Sequence, residues 1–309
     1  MDQDLPLSGL EFILPFAAPD ADLGSTPSCR FARSIGLPLR FYRCGRDYME
    51  IVRNPPHGHG KNVNPCIDCK IYFLRKAAEI MREEKAAFVA TGEVVGQRPM
   101  SQMRHMLRHI EKESGLEGYL LRPLSAKLLK PTRAEEEGIV DRERLCAISG
   151  RSRKVQMEMA DAYGITDYAS PAGGCLLTDP NISGRVRDLF EHNPDFSMID
   201  VYFLSLGRHY RLNPRTKVIA SRNESEEKEL LKYREQADYL FLPDFKGPVA
   251  YVRGPLERND IDLIRSLLCH YGRNIADSPS IRIMKGDTPF ENVPPADPIA
   301  EDILQSIRL

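Results

Sequence analysis

Cys66 and Cys69 stand three residues apart in Asn64-Pro65-Cys66-Ile67-Asp68-Cys69, a spacing that lets two thiols ligate one centre or act in turn on one substrate. Asn64 is a natural N-cap and Pro65 a natural first helical residue. Both cysteines are therefore predicted in the opening turn of a helix, on one face of it. Unpaired amide hydrogens and the dipole at such a start favour thiolate over thiol. The best third thiol is Cys175 in Pro171-Ala-Gly-Gly-Cys175, where two glycines let the backbone approach a ligand closely. Cys29, Cys44, Cys146 and Cys269 sit inside strand or helix patterns and read as small core residues, the alternative that also competes for Cys66 and Cys69. Closed zinc sites usually have four protein ligands, and only three cysteines stand out. His57 or His59 would be the fourth; otherwise both occupy a solvated glycine-rich loop.

These thiols need elements to hold them. The 309 residues are 42% hydrophobic and 28% charged, enough apolar material for at least one full core and excluding collagen, coiled coil and wholesale disorder. Short apolar runs alternate with helical patterns over the first two thirds, which predicts an α/β domain with a parallel sheet. Strands are expected at residues 10–16, 39–43, 87–91 and 119–124. Helices are expected at 27–34, 48–52, 66–84, 101–113, 141–148 and 153–163. In the longest of them, Ile67, Ile71, Leu74, Ala78 and Met81 recur at spacings of four and three, one apolar stripe facing a sheet. Past the loop at 170–180 the pattern changes to a smaller α+β unit. Its strands are expected at 199–204, 210–212, 217–220, 239–242 and 249–252, with helices at 224–236 and 256–271. The domains are read as 1–182 and 183–309, the second ending in a proline-rich, loosely ordered tail from Asp287.

Several motifs together resemble the tRNA thiouridine synthases of the PP-loop ATPase superfamily, the 4-thiouridine synthase and 2-thiouridylase-like proteins with an adenine-nucleotide α-hydrolase domain. They are Asn64-Pro-Cys-Ile-Asp-Cys69, Ala90-Thr91-Gly92-Glu93 followed by Gly96-Gln-Arg-Pro-Met-Ser-Gln102, Arg122-Pro-Leu-Ser-Ala-Lys127, Ser149-Gly-Arg-Ser-Arg153 and Pro171-Ala-Gly-Gly-Cys175. The resemblance spans roughly residues 8 to 183. It implies a Rossmann-like sheet and ATP-dependent replacement of a uridine carbonyl oxygen by sulfur through an adenylated intermediate. It further implies that Cys66, Cys69 and Cys175 either hold a 4Fe-4S cluster or work as nucleophile and persulfide carrier, with Thr91 and Gly92 beside the adenylate. A tRNA and a sulfur donor, sulfide or a persulfide carrier, are the implied partners, and a homodimer is compatible with it. The superfamily's phosphate loop, Ser-Gly-Gly-x-Asp-Ser after the first strand, is absent from these residues, and the stretch 10–16 looks like the family's second strand. One glycine in Leu23-Gly24-Ser25-Thr26 cannot form the same nest of amides around pyrophosphate. ATP binding is accordingly expected to be weak or lost, and the alternative is a non-ATPase Fe-S or tRNA-binding protein derived from that family.

The second domain carries Arg208, Arg211, Arg215, Lys217 and Arg222 in a stretch with no acidic residue, and Asn213-Pro214 predicts a hairpin turn within it. Such a hairpin can follow a phosphate backbone. Arg222-Asn223-Glu224 and Gly247-Pro248 resemble the RNA-binding domain of NFACT-type ribosome-rescue proteins. In the first domain Arg122 and Lys127 follow a strand where the site should open and are further RNA candidates. Other basic residues there, Arg98, Arg104, Arg108, Lys130, Arg151, Arg153 and Lys154, interleave with glutamates as solvated faces do. The net charge of −1 confines any nucleic-acid surface to a patch. No run reaches the roughly 18 apolar residues of a membrane span, the acidic start is unlike a signal peptide, and a cytoplasmic location is expected.

Overall fold

The computed structural model describes residues 3–166, 175–273 and 279–309. The chain forms two compact units, Met1–Thr178 and Asp179–Leu309, so residue 183 falls inside the first helix of the second unit.

In the first unit β1 (Gly9–Ile13) pairs in parallel with β2 (Leu39–Arg43) through the crossover helix α1 (Pro27–Ser34). The Thr26 hydroxyl accepts from the Cys29 amide and Pro27 opens α1, the expected start signals. The short helix α2 (Arg46–Arg53) follows, then the 18-residue α3 (Cys66–Glu83). The predicted stripe holds. Ile67, Ile71, Leu74 and Ala78 are buried with Ile110, Leu116 and Leu120, and Met81 packs at the margin. β3 (Val89–Ala90) and β4 (Leu120–Leu121) form a second parallel pair, linked through α4 (Arg104–Glu113). Mixed α/β character with parallel pairing is therefore present. The single Rossmann-like sheet is replaced, among the described residues, by two separate two-stranded sheets, because β3 and β4 share only two register pairs. The helix expected at 141–148 contracts to one 3-10 turn, Arg142–Arg144, capped by Asp141. The one-turn helix α5 (Arg133–Glu136) and the exposed α6 (Lys154–Ala162) complete the unit.

The second unit opens with α7 (Pro180–His192), capped by Asp179, whose carboxylate accepts from the amides of Asn181 and Ile182. The expected strand at 199–204 is instead the helix α8 (Met198–Phe203). Its apolar run suits either state, and the Ser197/Asp200 capping box decides for helix. A six-stranded antiparallel sheet then forms from β5 (Arg208–Asn213), β6 (Thr216–Ala220), β7 (Tyr239–Pro243), β8 (Ala250–Arg253), β9 (Ile281–Lys285) and β10 (Thr288–Val293), in the order β10-β9-β7-β8-β6-β5. The predicted hairpin is β5–β6, with Arg211 opposite Lys217. Helices α9 (Glu224–Lys232), α10 (Arg258–Tyr271) and α11 (Glu301–Ile307) accompany the sheet. Ile264, Leu267 and Leu268 of α10 and Leu304 of α11 pack on Tyr210, Val218, Phe241 and Ile283. The tail from Asp287 is thus ordered by strand pairing and by burial of Ile299 and Leu304.

Gly254 fixes the junction between β8 and the hairpin turn. Its φ is +105°, and a Cβ there would lie 1.9 Å from the Arg215 carbonyl oxygen. Gly254→Ala is expected to cost about 3 kcal/mol or more, read as a lowered denaturation midpoint with an unchanged m-value. Gly286→Ala, at φ +59° with open space around it, is expected to cost less.

Candidate functional site

The cysteine site is built from the start of α3. The helix begins at Cys66 with Pro65, not Asn64, in the capping position, and no side chain caps it. The Cys69 amide donates to the Pro65 carbonyl at 2.7 Å, so Cys69 completes the first turn above Cys66. From α2 the fully buried Tyr48 brings its hydroxyl to 3.4 Å from Cys69 Sγ, and the Tyr48 ring stacks on Phe73. Cys175, more than 100 residues downstream, is drawn to the same place by a latch that sequence reasoning missed. Asn62, at φ +58°, donates from Nδ2 to the Thr178 carbonyl at 2.7 Å, and the Thr178 hydroxyl donates to the Cys175 carbonyl at 2.6 Å. A left-handed asparagine just ahead of a C-x-x-C is the signal that could have been noticed. The Gly173-Gly174 pair lies outside the described residues.

The electrostatics confirm that the thiols are neighbours and reverse the expectation of thiolates. Burial pushes the Cys69 thiol up to about 12, the Tyr48 hydroxyl opposing, and Cys175, Cys66 and Cys44 each add to the rise. Burial likewise raises Cys175, with the Leu177 amide opposing, Cys66 reinforcing and the Arg98 charge opposing. Desolvation outweighs the helix-start dipole, so Cys69 and Cys175 are protonated thiols at neutral pH. Cys44, assigned to the core, is buried as expected, yet it ends β2 close enough to Cys69 to be felt there. Its position at the carboxyl end of a parallel strand was the legible clue. Among the described residues no group of three or more His, Cys, Asp or Glu side chains is assembled at metal-holding geometry. The two histidines considered as a fourth ligand are engaged elsewhere. His57 bonds the Asp68 carboxylate at 2.7 Å and His109 at 2.8 Å, and His59 Nε2 donates to the Val52 carbonyl.

Beside the thiols, the buried Glu93 carboxylate ties three elements together. Lys70, the residue after Cys69, pairs with Glu93 Oε1; Arg122 Nε donates to Oε2 at 3.1 Å; Thr91 Oγ1 lies 3.5 Å from the same oxygen. Burial alone would raise this carboxyl, but Lys70 and Arg122 outweigh it and hold it below its ordinary value. Arg122 also donates to Glu111 at 2.8 Å and to the Leu107 carbonyl, with 2% of its side chain exposed, so it acts as a strut, inaccessible to RNA. Thr91 continues the β3 ladder by donating to the Leu121 carbonyl, and a Cβ on Gly92 would meet open space. Gly92 thus leaves room at the strand end for a ligand, whereas no nest of amides for phosphates accompanies it. Lys127 is exposed and engages the Glu143 carbonyl and carboxylate.

In the second unit most of the predicted RNA-contact cations are held internally. Arg211 binds the Asp188 carboxylate through two 2.8 Å bonds, and the buried Lys217 ammonium reaches Asp188 Oδ2 at 2.8 Å. Burial would raise Asp188, but these two cations hold it below the usual carboxylate range. Arg222 pairs with Glu226, and Arg208 lies 4.3 Å over the Tyr271 ring while donating to the Ser221 carbonyl. Arg215, at the hairpin turn, is 72% exposed with only the exposed Glu257 beside it, and is the freest of the five. An alternating strand next to an acidic helix residue is the pattern that placed Arg211 and Lys217 on a covered sheet face.

Residues 207–306 match the model of the NFACT protein RNA binding domain, so this part of the chain is similar to an RNA-binding domain. Among solved structures, the C-terminal part of the fibronectin/fibrinogen-binding protein of Streptococcus suis is similar at 13% identity and a TM-score of 0.27, covering 85% of this chain and 98% of that one. No curated protein matches.

Glu93→Gln is expected to destabilise the first unit by about 3–5 kcal/mol, since it strands Arg122 and Lys70 with half their compensation. The folded carboxyl titrates below its unfolded value, so its contribution is fully present above the ordinary carboxylate pKa and is lost as pH falls through the folded one. Acid unfolding of the parent below about pH 4.5, with a flatter acid limb in Glu93→Gln, checks this by circular dichroism.

Proposed function

We propose that this protein handles sulfur for tRNA thiolation, with Cys66, Cys69 and Cys175 as the sulfur site and the second unit contributing RNA affinity. The observation that carries the reading is the convergence of Cys175 on the C-x-x-C turn through Asn62 and Thr178. The match of residues 207–306 to an RNA-binding domain supports RNA as the partner; tRNA, and uridine as the modified base, come from the motif resemblance.

The donor set suits a 4Fe-4S cluster, held by Cys66, Cys69 and Cys175 with one iron free of protein ligands. When bound, such a cluster supplies a site that carries sulfide. The remaining steps belong to the chain's own residues. Tyr48 orients Cys69, the Asn62 latch closes the 175–178 turn over the helix start, and the Lys70–Glu93–Arg122 set fixes that start against the strand ends. Low exposure keeps the thiols from competing solvent chemistry. In the cluster-free version of the same reading, two of these cysteines carry persulfide sulfur. Activation of the uridine oxygen with ATP is not assigned to any residue here, because no phosphate nest accompanies Thr91 and Gly92. That feature favours a second reading, a non-ATPase Fe-S or tRNA-binding protein of the same descent. Calorimetry separates them: tight ATP binding by this chain supports the enzyme, and no heat supports the second reading.

Anaerobic reconstitution with iron and sulfide is expected to give stoichiometric labile sulfide in the parent and in Cys146→Ala, and to lose most of it in Cys175→Ala. Stoichiometric zinc without iron, or full iron retention in Cys175→Ala, would overturn the cluster assignment.

A further inference from the structure

A cavity of about 780 Å³ opens in the first unit between α4 and the segment 126–132, away from the cysteine turn. Its size suits a small organic ligand. The floor is apolar, made by Leu107, Leu120, Leu121 and Leu129. Its rim is cationic. Arg104 and Arg108 stand one turn apart on α4, and Lys130 closes the opposite side; all three are exposed. None of these three side chains has an ion-pair or hydrogen-bond partner among the described residues. This sets them apart from Arg211, Lys217 and Arg222, whose charges are consumed inside the second unit.

The carboxylates around the cavity do not cancel that charge. Glu111 is bound by Arg122 and by the Gly118 amide. Glu135 is bound by Arg142 and by both the amide and the hydroxyl of Thr132. Only Glu117 is an exposed acid on the rim. His105, exposed beside Arg104, adds a flat ring at the mouth.

An apolar floor under a ring of unpaired cations, two of them planar guanidiniums, matches one chemistry: a flat base joined to a phosphate. We propose that this cavity is a nucleotide subsite that takes one nucleoside monophosphate unit. The base lies on the leucine floor against His105 or a guanidinium plane, and the phosphate lies among Arg104, Arg108 and Lys130. Single-stranded RNA bases are commonly held by such stacking on histidine or arginine planes. The unit can come from an RNA strand, in which case the subsite deepens the RNA-binding reading above, or from a free nucleotide; both present the same base and phosphate.

The test uses the full chain with two probes, a fluorescein-labelled single-stranded RNA by anisotropy and AMP by calorimetry. For the parent and the Arg104→Glu/Arg108→Glu/Lys130→Glu variant, RNA affinity is expected to fall at least 10-fold and the slope of log K against log salt to shrink by about 2, three contacts at about 0.7 each. Leu129→Ser should weaken binding and leave the salt slope unchanged, a readout that general loss of positive charge would not give. Lys85→Glu, exposed and away from the cavity, serves as the charge-matched control. AMP binding lost in the triple variant supports the subsite with free nucleotide as its source, even if RNA does not bind. RNA binding unchanged in the triple variant, with no AMP binding by the parent, overturns the subsite and leaves the RNA reading standing. Failure of the parent to bind either probe overturns both.

Discussion

The Glu93 carboxylate is the constraint on which the first unit depends. A buried anion is tolerated only when its charge and lone pairs are met, and Glu93 meets this by taking Lys70 from α3, Arg122 from the end of β4 and the Thr91 hydroxyl. Because Lys70 follows Cys69 directly, satisfying the carboxylate also fixes the helix start that carries the thiols. The two short parallel pairs contribute few ladder bonds of their own, so this ionic tie sets where the strand ends and the cysteine turn lie. Asp188 solves the same problem in the second unit, joining α7 to β5 and β6 through Arg211 and Lys217.

Those two hubs explain which readings of the sequence were legible. Helical periodicity in α3 was readable because apolar spacing follows burial directly, and Ile67, Ile71, Leu74 and Ala78 all face one core. The β5–β6 hairpin was readable from Asn213-Pro214, where the turn chemistry is local. The function of individual charges was not. Arg122, Arg211 and Lys217 look like phosphate contacts in sequence, whereas each answers a buried carboxylate far along the chain, Glu93 or Asp188. Arg104, Arg108 and Lys130 look like ordinary solvated residues, and they are the ones left unpaired. Six apolar residues at 198–203 carry no period of their own, and only the Ser197/Asp200 cap distinguishes helix from strand there.

The candidate site itself was legible in its residue types and its long-range pairing, but not in its protonation. A helix start suggests thiolate, yet burial pushes Cys69 up to about 12 and raises Cys175 as well. Under the proposed reading this is consistent with thiols that become thiolate ligands only as a metal centre loads and protons leave. Cys44, close enough to raise Cys69, adds a fourth sulfur to the neighbourhood, at the end of β2 where a parallel strand delivers its carboxyl edge.

Convergence of the three thiols is the claim from which the rest of the functional reading follows, and bridging them tests it most directly. Dibromobimane fluoresces when both of its arms alkylate nearby thiols. Applied to the metal-free Cys29→Ser/Cys146→Ser protein at alkaline pH, where the buried thiols ionise, it should yield a fluorescent product joining the peptide of Cys175 to that of Cys66 or Cys69. Mass spectra that contain only singly alkylated cysteines, with Cys175 never joined to the C-x-x-C peptide, would contradict the account.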